Sequence, residues 1–440
     1  MAGRSALPRI AVIALCASLT VALMLSHAAM DSHVFGFLGL RYADPGLGWT
    51  VFSVLSAAVP GLWLPVRVER PSQIAYWILY CTVIVPTMFM PYRVLDVDPY
   101  QIAVYTSVVL LSFFGLSIAT TMPLVRIPRP DWPPISFGNA TAAVLIGLTL
   151  AVWYYGGFRL DLGLTDIYAR RRAAREIVVQ QSLASYIKGN VASAFQPFAF
   201  ALGIGLRSWL LVGASVFAGL VVFSLEGSKT SALLPLFLVA LLPLVGRYRS
   251  RFGVLFPAAC IVLVAAAYVA FEATRYFTIP TLTTWRLFQV KGLLSSYYFE
   301  FFSSHQPTLL GDGILQSFVG RTYELATPRL IGETYFGSDE TNSNANIWAS
   351  AFGDFGLIGI PLASVVAGVV LRIMDSLSAN RGFLVPAFMA AFLGMKWSDT
   401  SLDTSMLSHG VLMTLILLYL MPGTDIEAEA SQPRAVAQPT

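Results

Sequence analysis

An all-α, polytopic integral membrane fold is what this sequence predicts, and three observations carry the prediction. Hydrophobic residues make up 56% of the 440-residue chain, and the mean hydropathy is +0.69. Only 12% of residues are charged, about half the roughly 25% of an ordinary soluble domain. Apolar runs of about 17–25 residues recur along the whole length, each long enough to cross a hydrocarbon core of roughly 30 Å. Backbone polar groups inside such runs are satisfied only by a helix or a closed barrel. The runs are continuous rather than alternating, so they read as helices.

Hydropathy places twelve spans, near 9–29, 48–65, 73–91, 101–122, 139–157, 190–206, 208–225, 230–246, 253–271, 346–371, 383–397 and 407–421. The first follows Arg4 and Arg9; its length and the spans behind it make it a transmembrane helix rather than a signal peptide. Arg207 falls at a tight turn between two spans. The polymer of spans, 1–422, is followed by an acidic, then Ala/Gln/Pro-rich tail, 423–440, with the composition of a disordered segment. Cys16, Cys81 and Cys260 all lie inside apolar runs without metal-type spacing, which predicts neither disulfide framework nor zinc site. A net charge of +4 gives no indication of nucleic acid.

Orientation follows from counting Lys and Arg in the short loops. One set carries Arg4, Arg9, Arg67, Arg70, Arg126, Arg129, Arg207, Arg247, Arg249, Arg251, Arg372 and Arg381; the other carries only Arg41, Arg93, Lys229 and Lys396. The contrast predicts both termini in the cytoplasm, in agreement with an even number of spans. Two long extracytoplasmic loops then depart from the rule: 158–189 and 272–345 together hold eleven Lys and Arg. Long loops are exported largely regardless of charge, but their cations call for a partner. The 74 residues of the second are enough for short helices lying on the membrane face.

The first loop contains Tyr168, Arg170, Arg171, Arg172 and Arg175 and ends at Lys188. Arginine suits bidentate phosphate contacts, so the cluster reads either as a phosphate or pyrophosphate clamp or as a solvated, headgroup-facing helix. Glu226-Gly227-Ser228-Lys229-Thr230 shares the end of a P-loop but lacks its first glycine and a preceding strand; nucleotide binding is rejected there. A Lys–Glu pair at the mouth of a bundle is a structural cap or part of a site. The second loop holds Arg275, Trp285, Arg286, Lys291, Tyr297, Glu300, His305, Arg321, Asn344 and Asn346. Its aromatics beside Arg and Glu suit sugar stacking or, alternatively, an interfacial aromatic belt. Asp399 and Asp403 read as solvated, and no carboxylate cluster with metal-ligand spacing is evident.

These stretches, in this order, resemble the Wzy-type oligosaccharide repeat-unit polymerases of bacterial surface polysaccharide synthesis. The likeness is carried by Asp166-Ile167-Tyr168-Ala169-Arg170-Arg171, by Gly227-Ser228-Lys229-Thr230 opening a span with Pro235, by Arg286 with Tyr297, Phe301 and Phe302, and by Asn344-Ala345-Asn346 with Ala349, Phe352-Gly353 and Gly356. It covers roughly residues 160–360. An Arg, ten residues, then Gly pattern of some members is matched by Arg321 and Gly332, whereas the first loop lacks it.

The resemblance implies a multi-span glycosyltransferase in the bacterial inner membrane, its active site facing the periplasm. Its partners would be lipid-linked oligosaccharide donor and acceptor on undecaprenyl pyrophosphate, membrane lipid, and flippase and chain-length regulator proteins. No cofactor, metal, nucleotide sugar or nucleic acid is implied. The leaving group is a lipid pyrophosphate, so pre-placed cations would stabilise its developing charge. Arg171, Arg172, Arg175, Lys229 and Arg286 are the candidates, with Arg171 and Arg286 catalytic. Glu300 and His305 are candidate general bases, and Trp285, Tyr297 and Trp348 candidates for stacking sugars. The first loop's arginines are expected to meet the Arg286–His305 segment across one cleft. An O-antigen ligase, a lipid-linked oligosaccharide flippase and a non-enzymatic scaffold of an export complex remain as alternatives. In a deletion strain, single repeat units on the acceptor mean polymerase, no transferred glycan means ligase, and units held on the cytoplasmic leaflet mean flippase.

Overall fold

The computed structural model describes residues 3–31, 42–128, 130, 133–158, 160–163, 182–227, 229–313 and 316–422, and within them the fold is entirely helical. Each of the twelve predicted spans coincides with a helix. In order these are α1 (Gly3–Ser26), α2 (Gly46–Ala58), α3 (Ser72–Val94), α4 (Pro99–Ala119), α5 (Pro134–Tyr155), α6 (182–206), α7 (Trp209–Glu226), α8 (Lys229–Val245) and α9 (Phe252–Thr274), then α13 (Ile347–Ser378), α14 (Leu384–Trp397) and α15 (Leu402–Leu420). Among the described residues, eight helices are long and apolar enough to cross a membrane, and three shorter apolar ones join them. This is a polytopic helical membrane protein.

Local chemistry sets the ends. Asp98 caps α4 by accepting from the Tyr100 amide at 3.0 Å, with Pro99 in the first turn, where its missing N–H costs nothing. Arg207 adopts φ 53° between α6 and α7, the turn expected from sequence.

The chain forms two compact units. The first comprises residues 1–122, 247–372 and 394–404; the second comprises 123–246, 373–393 and 405–440. In the first, α1 packs along α9 and against α2, and α3 is enclosed almost completely. By contrast α4 and α9 keep apolar side chains such as Val104, Leu111, Val262 and Val269 exposed, which is what a lipid-facing helix presents. In the second unit α6 packs on α5 and α7, α7 on α8, and the end of α15 on 191–195.

The second predicted loop is where structure and sequence part. Beyond α9 the chain forms one continuous helix, α10 (278–304), with a nine-residue π-helical stretch, Thr281–Gln289, inside it. Two short helices follow, α11 (Gln316–Val319) and α12 (Thr327–Phe336). Far from lying on a surface, α10 is packed among α3, α12 and the start of α13. Gly292 permits that contact, because a Cβ there would lie 2.7 Å from the Pro86 carbonyl oxygen. Hydropathy misses α10 because its polar side chains are satisfied inside the protein rather than excluded from it.

Candidate functional site

In the first unit the polar side chains of α10 take part in two hydrogen-bonded groups. Gln289 donates to Ser26 Oγ at 3.2 Å and is paired with His27 Nδ1 at 3.2 Å. Ser295 Oγ receives bonds from Asn346 Nδ2 at 2.7 Å and Thr87 Oγ1 at 3.2 Å, and itself donates to the Lys291 carbonyl. Buried polar groups demand such partners. Asn346 is therefore accounted for: its Oδ1 also caps α13, accepting from the Trp348 and Ala349 amides at 3.1 Å each. Trp285, Tyr297 and Trp348, candidates for sugar stacking, are all buried. Trp348 donates to Ser364 Oγ at 2.8 Å, and Tyr297 stacks on Tyr335 with ring centroids 4.1 Å apart.

Lys291 departs from this pattern. Its ammonium contacts the carboxylate of Asp399, on the turn after α14, with side-chain exposures of 7% and 53% respectively. Burial first, then the neighbouring charges of Arg286 and Lys396, push the Lys291 pKa down to about 7; contact with Asp399 works the other way and holds the proton on. Arg286 is exposed at the end of the π-helical stretch, and Lys396 lies near the end of α14. Three cations thus gather around one turn, and Asp399, expected to be merely solvated, is engaged with the most buried of them.

Carboxylates gather farther along. Tyr298, seven residues after Lys291 and hence on the same helix face, is near Asp312 and Asp354, which with burial push its phenol upward. Asp354 accepts from Thr308 Oγ1 at 2.5 Å and the Leu310 amide at 3.2 Å. Asp312 accepts from the Thr327 amide and hydroxyl and faces Arg321 Nε at 3.7 Å. Asp403 lies against Gly313. One face of α10 is therefore basic around Lys291 and acidic about two turns on.

Glu300 lies elsewhere. Nine residues from Lys291 in regular helix, it points to the opposite face, roughly 13 Å along the axis. There it hydrogen-bonds Tyr335, whose phenol is pushed upward by burial and by this carboxylate. His305 is exposed and closes the end of α10, with Nδ1 2.8 Å from the Phe301 carbonyl and its ring stacked on Phe301. The structure thus separates both candidate bases from the Lys291 cluster. Arg275 ends α9 with φ 57° and pairs with Glu272 at 2.8 Å. Asn344 is half-buried beside the α13 cap.

In the second unit Lys188 is ion-paired with Glu226. Lys229 begins α8, and nothing of its side chain is described. Tyr168, Arg170, Arg171, Arg172 and Arg175 lie outside the described residues, and with them the expected meeting of the two loops. The three cysteines are free and buried. Among the described residues no group of three or more His, Cys, Asp or Glu is placed to hold a metal ion.

Fold and site together define a helical membrane protein with a charged cluster inside its helical body. No protein-family model, curated protein or solved structure matches the chain.

Proposed function

We propose that this protein polymerises undecaprenyl-pyrophosphate-linked oligosaccharide repeat units into a surface polysaccharide at the periplasmic face of the bacterial inner membrane. In this reading the chain crosses the membrane twelve times with both termini in the cytoplasm, and the turn after α14 faces outward. The observation that carries the reading is the gathering of Lys291, Arg286 and Lys396 in a chain with so few charges. A buried cation in a membrane protein is expensive and marks function by default.

The reaction breaks the bond between the anomeric carbon of the donor sugar and the pyrophosphate oxygen. It forms a new glycosidic bond to an acceptor hydroxyl. Negative charge grows on the departing oxygen, where Lys291, Arg286 and Lys396 stabilise it once the pyrophosphate has taken the place of Asp399. The acceptor's proton passes to a carboxylate, and the acidic face of α10 offers Asp403, Asp354 and Asp312 on the same side as the cations. Glu300, paired with Tyr335 on the opposite face, then serves to bind sugar hydroxyls or to hold α12 in place. The Lys188–Glu226 pair supports no separate role.

The test is reconstitution of the purified chain with a defined lipid-linked repeat unit. A ladder of products whose length grows with time is the expected result. A single transfer to a different acceptor, or translocation of the unit without bond formation, would replace this reading with a ligase or a flippase.

A further inference from the structure

At the start of α9, two loops of the first unit that are far apart in sequence are stitched together. The Gly253 amide donates to the Val66 carbonyl at 2.9 Å and the Val68 amide to the Arg249 carbonyl at 3.3 Å. Arg249 returns two bonds, from Nε to the Val68 carbonyl at 2.6 Å and from Nη2 to the Glu69 carbonyl at 2.8 Å. The joined loops frame a pocket of about 420 Å³ lined by Arg67, Glu69, Arg247, Arg249 and Ser250. Three arginines against one glutamate give it a formal charge of +2.

The three arginines are not equivalent. Arg249 is committed to carbonyls and fixes the shape of the pocket. Arg67 lies 3.8 Å from Glu69, with both side chains more than two-thirds exposed, and so loose a surface pair contributes little. Arg247 is exposed, lies over the Tyr248 ring at 5.7 Å, and is paired with no carboxylate among the described residues. Two guanidiniums, one on each loop, are thus held at the pocket by a scaffold that does not need them.

We propose that this pocket binds the phosphate of one anionic phospholipid from the leaflet it faces, the headgroup bridging Arg67 and Arg247. The site is separate from the Lys291 cluster and does not rest on the reading of that cluster. Arginine forks take phosphate oxygens in pairs, and loops already tied together spare the ligand most of the ordering that binding otherwise requires. Position favours a lipid as the source of the phosphate. The helical segment that continues α2 ends at the exposed Leu62 shortly before Arg67, and α9 begins at Phe252 directly after the pocket, next to the half-exposed Tyr248. Charge counting assigns these loops to the cytoplasmic side, where basic pockets between membrane helices take anionic headgroups.

The experiment measures binding of dihexanoyl phosphatidylglycerol, dihexanoyl phosphatidylcholine and inorganic phosphate to the purified full chain in an uncharged detergent. Wild type is expected to bind the phosphatidylglycerol saturably and at least about 10-fold more tightly than either other probe, the order of one charge-assisted contact. Arg67→Gln and Arg247→Gln should each weaken it by about 10-fold, and both should keep the wild-type melting temperature without lipid, because neither side chain stitches the loops. Arg251→Gln is the control: it removes the same charge from the same turn but lies outside the pocket, and should change binding by less than about twofold. Equal weakening by all three variants, or phosphatidylcholine bound as tightly as phosphatidylglycerol, overturns the site in favour of diffuse surface charge. Inorganic phosphate bound as tightly as phosphatidylglycerol, with the same dependence on Arg67 and Arg247, overturns the lipid and leaves a site for soluble phosphate.

Discussion

Among the described residues, two sets of cations differ in what they hold. At the ends assigned to the cytoplasm by charge counting, arginines take neutral backbone carbonyls near helix ends. Arg9 donates to the carbonyls of Gly61 and Leu64, Arg70 to those of Thr120 and Met122, Arg249 to those of Val68 and Glu69, and Arg381 to those of Leu418 and Tyr419. The exposed Arg67 also lies 3.8 Å from a carboxylate oxygen of Glu69. At the opposite ends, Lys291, Lys188, Arg275 and Arg321 each face an Asp or Glu. The last carbonyls of a helix have no intrahelical partner, so the first group closes the fold and stays put. A carboxylate, in contrast, can be exchanged for another anion. One charge-counting signal thus covers two sets of cations, and the proposed function draws on the set paired with carboxylates.

That contrast can be broken by substitution. Lys291→Met and Arg286→Ala are expected to lower polymer formation by at least about 100-fold, the order of a lost electrostatic group at a reacting centre, with protein levels unchanged. Long polymer from either variant would remove the cluster from the chemistry.

The next largest effect is on pH. Lys291, with its pKa pushed down to about 7, is charged below that value and loses its proton as pH rises through it. Arg286, Lys396 and Asp399 are the charged groups facing it. Activity should therefore fall on going from pH 7 to pH 9 in the wild type, whereas Lys291→Arg, which stays charged, should hold a flat profile over that window. For stability the sign is opposite. The unfolded lysine keeps its proton up to its ordinary value, so the burial penalty is fully present below about 7 and is relieved as pH rises. A flat wild-type activity profile would place the titrating group elsewhere.

Arg381→Ala should act on the fold instead. Losing charged hydrogen bonds to buried carbonyls costs about 2 kcal/mol, visible as a lower melting temperature with turnover per folded molecule unchanged. His305→Ala is expected to do least: it removes one helix-end contact and should alter kcat by less than about threefold, well short of the roughly hundredfold lost with a general base. A loss of 100-fold would restore His305 as a base.

The fold was legible wherever lipid is the solvent. All twelve apolar segments are helices, and Arg207 makes its turn, because continuous hydropathy and tight turns are local properties. α10 was not legible, since Gln289 and Ser295 look like surface until Ser26 and His27 are brought to the first and Thr87 and Asn346 to the second by long-range packing. The candidate cluster was half legible. Arg286 and Lys291 stood out as cations in the wrong loop, but Lys396 and Asp399 are about 100 residues away in sequence and announced nothing. Asn346 stands out in the sequence as a polar amide entering a span, and in the structure its Oδ1 caps α13. Glu300 is near Lys291 along the chain, but helix periodicity puts it on the other face.

The central claim is that the Lys291 cluster, and not the carbonyl-bound arginines, does the chemistry. It is tested most directly by supplying a lipid-linked repeat unit to equal amounts of folded wild-type, Lys291→Met and Arg381→Ala protein and reading the product ladder. A full ladder from wild type and Arg381→Ala with none from Lys291→Met is the predicted result; a ladder from Lys291→Met would contradict it.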